Sequence, residues 1–139
     1  MVHALREIWR VLTPGGLVLD VRPLAGDWPV EVVARGHVLA AGQVDHKPEG
    51  YVDDRAANDA AALAGREGWF VREREGAFDF AYYWDTPEEM RAYVEEQWGD
   101  YLSLPETVVT RARALRAAAA EGAQVRIRLD MMISRWRKR

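Results

Sequence analysis

Asp20 and Arg22 stand two residues apart, across Val21, at the end of the short apolar run LVLDVR. On an extended chain that spacing puts a carboxylate and a guanidinium on one face, either as an ion pair or as a paired contact for a ligand. Three histidines, His3, His37 and His46, are the only side chains whose ordinary pKa lies near neutrality. His3 falls in a helical stretch and faces solvent, and His37 reads as a turn residue at the start of a strand. Asp45-His46 lies just past a strand end, where a carboxylate beside a histidine can tune a general base. Neighbours on an extended chain point opposite ways, so Asp45 need not orient His46. No H-x-x-x-H or H-x-H spacing occurs, and no metal site is expected. Phe78, Phe80, Tyr82 and Trp84 alternate with smaller or polar residues, which suits a strand packed against a helix. Tyr83, on the opposite face, is the better ligand contact of that set.

These residues need elements to hold them. Leu5, Ile8, Trp9 and Leu12 recur at helical spacing, then Pro14-Gly15-Gly16 enforces a chain reversal, then residues 17–21 form a β-rich run. Residues 30–34 and 37–44 read as two strands around Arg35-Gly36, a two-residue hairpin connection. Residues 51–65 form an Ala-rich helix with Asp53 and Asp54 near its start. Residues 69–75 and 77–84 read as strands separated by a turn at Gly76. Thr86, Pro87 and Glu89 spell a capping box that opens a helix running to Tyr101. Ser103-Leu104-Pro105-Glu106 repeats that start signal for a second helix. Residues 124–135 form a long strand with Val125, Ile127, Leu129, Met131 and Ile133 facing inward.

The chain of 139 residues suits one domain, and its 49% apolar content suffices for a core. A net charge of −3 provides no basic field for nucleic acid, and the basic end at 135–139 reads as a solvated strand and tail. The absence of cysteine excludes disulfide and thiolate chemistry and fits a cytoplasmic protein. No apolar run of about 20 residues and no signal-peptide pattern occurs, so neither a membrane span nor export is expected.

Leu5, Glu7, Arg10, Val11, Leu12, Pro14, Gly15 and Gly16 fit the pattern L-x-E-x-x-R-V-L-x-P-G-G. That segment closely resembles the late core motif of class I S-adenosylmethionine-dependent methyltransferases (type 11-like), where it leads into the fifth sheet strand. The resemblance covers residues 3–23, a helix-turn-strand unit, and leaves 24–139 as a substrate-side and sheet-closing region. It implies an α+β or partial α/β fold, a mixed, largely antiparallel sheet with helices, corresponding to the C-terminal half of a Rossmann-like methyltransferase. Residues 69–84 would supply the sixth strand and 124–136 the seventh, as a closing antiparallel pair. The hairpin at 30–44 is extra and a place for acceptor specificity.

In that family a Gly-rich loop and an acidic strand end build the cofactor site. No G-x-G-x-x-G stands here, and Gly15-Gly16 precedes a strand instead of opening a helix. The expectation is therefore a methyltransferase-like chain that is inactive alone, with no cofactor of its own. S-adenosylmethionine would enter only if the missing N-terminal half were supplied. Asp20, Arg22, His46 and Tyr83 are the candidate contacts for a small-molecule acceptor. The alternative is a non-catalytic α+β dimerisation or ligand-binding module of the same descent. A homodimer would bury residues 17–21 and the Ile8/Trp9 side of the first helix.

Overall fold

Thr13-Pro14-Gly15-Gly16 reverses the chain by local chemistry. Pro14 holds φ near about −65°, Gly15 adopts φ 76°, and the Gly16 amide donates to the Thr13 carbonyl at 2.9 Å. This is the pattern of a type II turn. It joins helix α1 (Val2–Val11) to strand β1 (Leu17–Pro23) in the computed structural model, which describes residues 1–139. Further along are β2 (Pro29–Ala34), β3 (His37–Gln43), β4 (Asp45–His46), α2 (Pro48–Arg66) and β5 (Phe70–Trp84). Then come α3 (Pro87–Gln97), β6 (Leu102–Ser103), α4 (Glu106–Ala118) and β7 (Gln124–Lys138). The fold is α+β with a largely antiparallel sheet. The chain separates into two compact units, each gathered from interleaved segments, with β5 and β7 contributing residues to both.

The first unit comprises Met1–Leu24, Tyr51–Phe78 and Met131–Arg139. Its β1 pairs antiparallel with the C-terminal half of β7, from Leu17↔Arg137 to Pro23↔Met131. The end of β7 also secures the opening turn. Lys138 exchanges backbone bonds with Gly15 and Gly16, while its Nζ donates to the Trp9 and Leu12 carbonyls. A cation there satisfies orphan carbonyls and complements the negative end of the α1 dipole. Arg137 adds bonds to Glu73 of β5 and to the Gly15 carbonyl.

The second unit comprises Ala25–Gly50 and Asp79–Asp130. Here β2 pairs with β3 and with the N-terminal half of β7. Helix α4 packs against the β2–β3 hairpin and α3 packs against α4. Val30, Val32, Met90, Val94, Val109 and Ile127 form the dry centre. The hairpin turns through Arg35 and Gly36, at φ 47° and 80°, with Ala34 opposite His37. Positive φ at both positions is the type I′ pattern that matches strand twist. Gly42 has a different role: a side chain there would strike Val108 of α4 at 2.6 Å, so only glycine permits this approach.

The capping box at α3 forms as the sequence predicts, with Thr86 accepting from Glu89 N–H and the Glu89 carboxylate reaching back to Thr86 N–H. Three expectations need correction. Gly76 is not a turn, because β5 runs unbroken beside an equally long β7 that holds it extended. Ser103 does not cap α4. Its backbone is committed to the short pairing of β6 with Asp45 of β4, and Pro105 stands at the N-cap without a side-chain bond. The inward alternation of β7 holds for Val125, Ile127 and Leu129, but in the first unit Ser134 is buried while Ile133 is exposed. A non-glycine residue in the left-handed region costs on the order of 1–2 kcal/mol. Arg35→Asn is therefore expected to raise stability by about 0.5–1 kcal/mol, read as a higher urea midpoint. An unchanged midpoint would contradict the turn geometry.

Candidate functional site

The first unit contains two adjoining cavities on the side of β1 that carries Val18, Asp20 and Arg22. One, of about 210 Å³, lies among Leu5 and Ile8 of α1, Ala57, Ala60 and Ala64 of α2, and Phe70. The alanines recur at i, i+3 and i+7, so one face of α2 is kept small and leaves a space beside the sheet. The other, of about 250 Å³, has charged and polar groups in a mixed wall, among them Arg22, Asn58, Arg72, Glu75 and Ser134. Asp20, Ala61 and Trp136 line both.

Strand register explains why these groups meet. Asp20 is directly opposite Ser134, and Arg22 opposite Met132, so their side chains share one face. Arg22 is held from several directions. Its Nη2 donates to Asn58 Oδ1 at 2.6 Å and its Nη1 to the Asp54 carbonyl at 3.4 Å. Its Nε lies 3.4 Å from the Asp20 carboxylate, yet is buried without a hydrogen-bond acceptor. Ser134 is 2% exposed and accepts a 2.8 Å bond from Trp136 Nε1. Arg72 stacks over the Trp136 ring at 5.6 Å and pairs with Glu75. The lining thus holds two carboxylates and two guanidiniums.

Of the four candidates read from sequence, Asp20 and Arg22 come together here. His46 and Tyr83 belong to the second unit. His46 lies edge-on to Trp28 at 4.7 Å, and its Nε2 faces the Gly26 amide at 3.5 Å. Tyr83 is exposed, and its hydroxyl accepts from Arg126 at 3.0 Å beneath the same guanidinium. Arg126 also donates to the buried Glu31 at 2.7 Å. Partial burial disfavours its charge, but the bonds to Tyr83 and Glu31 outweigh that and hold its pKa above the usual value. Tyr83 is therefore a member of a surface charge network. The aromatic residues Tyr82, Trp84, Tyr93 and Trp98 pack on one another with centroids 5.0–6.4 Å apart, which is ring-to-ring contact. Phe78 and Phe80 remain exposed.

Nothing in the local sequence marks Ser134, Trp136, Asn58 or Arg72 as site residues. The alanine spacing on α2 was a legible signal for the apolar cavity. The polar wall was not legible, because it depends on the register between β1 and β7. No group of three or more His, Cys, Asp or Glu side chains converges as a metal site, and no helix is long and apolar enough to cross a membrane. Comparison of the chain with protein-family models, curated proteins and solved structures found no match.

On β5, Glu73 is held below its ordinary pKa, first by the hydrogen bond from Arg137 and further by the charges of Arg137 and Arg135. A depressed carboxylate stabilises the fold fully above its unfolded value of 4.5 and loses that contribution as pH falls through the folded value. Glu73→Gln is therefore expected to be less stable than wild type at neutral pH. The gap should narrow below pH 4.5, measured by urea unfolding across pH. A gap independent of pH would remove the ionic account.

Proposed function

We propose that this chain is the sheet-closing, acceptor-side half of a class I S-adenosylmethionine-dependent methyltransferase fold, and that alone it transfers no methyl group. The observation that carries the reading is the strand order of the first unit. β1, which follows the motif at residues 5–16, pairs with β7, and β7 pairs with β5. The strand that the resemblance numbers fifth thus lies beside the pair it numbers sixth and seventh. The lining of the two cavities supports a small polar acceptor, with Asp20 and Arg22 as its contacts.

The residues present do not fit the sulfonium cofactor. A nucleotide cradle needs glycines where a strand opens into a helix, so that backbone amides approach the ligand. Gly15 and Gly16 instead occupy a turn whose backbone is bonded to Lys138. No step of methyl transfer is derived for this chain. In this reading the cofactor comes with a partner half.

β1 offers a surface for such a partner. It is the end strand of its sheet, and Leu17, Leu19 and Val21 are 45%, 63% and 49% exposed. Uncovered apolar edges are templates for strand pairing. The same strand favours a second reading, a non-catalytic module paired with its own copy. Antiparallel pairing centred on Val21 sets Asp20 of one copy opposite Arg22 of the other, a self-complementary arrangement. In that reading the interface takes in β1 and the Ile8/Trp9 side of α1, where Trp9 is exposed.

Titration calorimetry with S-adenosylmethionine is expected to give no binding up to about 100 μM, and tight binding would overturn the cofactor argument. Size exclusion with light scattering is expected to give a dimer that Leu19→Lys shifts toward monomer. A folded wild-type monomer at micromolar concentration would discard the self-paired reading.

A further inference from the structure

We infer that the two cavities of the first unit form one binding site for a free α-amino acid with an apolar side chain. The inference stands on the cavities themselves and does not require methyltransferase descent. Its first ground is their arrangement: an apolar space and one with charged groups in its wall share Asp20, Ala61 and Trp136, so a single molecule can reach both. Apolar cavities of about 150 Å³ admit a benzene ring. The apolar space here, about 210 Å³, takes an isobutyl, thioether or benzyl group.

The second ground is charge. Arg22 is paired with Asp20 and Arg72 with Glu75, so the polar lining is balanced in sign. A singly charged ligand would be attracted by one member of each pair and repelled by the other. A zwitterion meets both. Asp20 is the charged residue common to the two spaces and receives the ammonium group there. Across the strands from it stands Ser134.

The third ground is unused donor capacity. Arg22 Nε is shut off from the cavity and faces the Asp20 carboxylate at 3.4 Å, so Arg22 holds Asp20 in place and leaves the donating to its neighbours. Ser134 is buried, and its oxygen already accepts from Trp136, so its proton is the group left to give. That hydroxyl suits a carboxylate, with the more exposed Arg72 supplying the charge.

Titration calorimetry of the full chain with L-phenylalanine and L-leucine tests this, with phenethylamine and 3-phenylpropanoate as single-charge controls. At least one amino acid is expected to bind, with each control about tenfold weaker or worse. Asp20→Asn is expected to weaken the amino acid about tenfold while leaving 3-phenylpropanoate no weaker. Ala61→Leu, which fills the shared wall, is expected to abolish binding with the circular dichroism unchanged. Should Asp20→Asn fail to fold, Arg72→Gln serves, because Arg72 is half-exposed, and it must weaken the amino acid more than phenethylamine. The inference is overturned by no binding of either amino acid up to about 10 mM, by a control that binds as tightly as the amino acid, or by folded variants that bind like wild type.

Discussion

The hydrogen-bonding of β7 is the constraint on which the molecule depends. This strand runs for 15 residues and pairs with β1, β2 and β5. β1 and β2 are set in register along it, β5 pairs with it as well, and each unit's sheet is built on part of it. Its side chains then meet different demands along its length. Val125, Ile127 and Leu129 fill the dry centre of the second unit, whereas Ser134 and Trp136 line cavities in the first. The half that builds a close-packed core is apolar at alternate positions. The half that borders the cavities replaces that pattern with a hydroxyl, an indole and three arginines or lysines at 135, 137 and 138.

Trp136 shows how closely structure and candidate site are linked. Its indole N–H is satisfied by Ser134, its ring carries Arg72, and both cavities use it as a wall. An indole buries a large apolar area while keeping one polar handle, so it can separate an apolar space from a charged one. The small residues of α2 make the complementary contribution, since larger side chains at Ala57, Ala60 and Ala64 would occupy the space. The site is therefore defined as much by what α2 lacks as by what β1 presents.

The sequence reveals the local features well. The helix-turn-strand at the start, the Arg35-Gly36 hairpin and the Thr86–Glu89 capping box are each encoded within a few residues, where proline, glycine and capping chemistry act directly. It reveals less where a distant partner decides. Gly76 reads as a turn by itself and is extended because β7 lies beside β5. Ser103 reads as a cap and is taken by a bridge to Asp45. In the site, the i, i+2 spacing correctly places Asp20 and Arg22 on one face. Ser134, though, enters only through pairing across more than a hundred residues of chain. Tyr83 reads as a free aromatic because nothing nearby in sequence announces Arg126.

That separation has a consequence for how the chain acquires its structure. The Arg137 guanidinium bonds the Gly15 carbonyl across 122 positions, and Lys138 closes α1 across still more. Contacts this distant in sequence slow folding, because loop-closure entropy is lost before the pairing repays it. During synthesis β1 is made more than a hundred residues before its sheet partner in β7. Throughout that interval Leu17, Leu19 and Val21 stand on a strand with both edges open. The nascent protein is thus most exposed to misassociation before β7 arrives, and pairing with β7 then closes one of the two edges of β1.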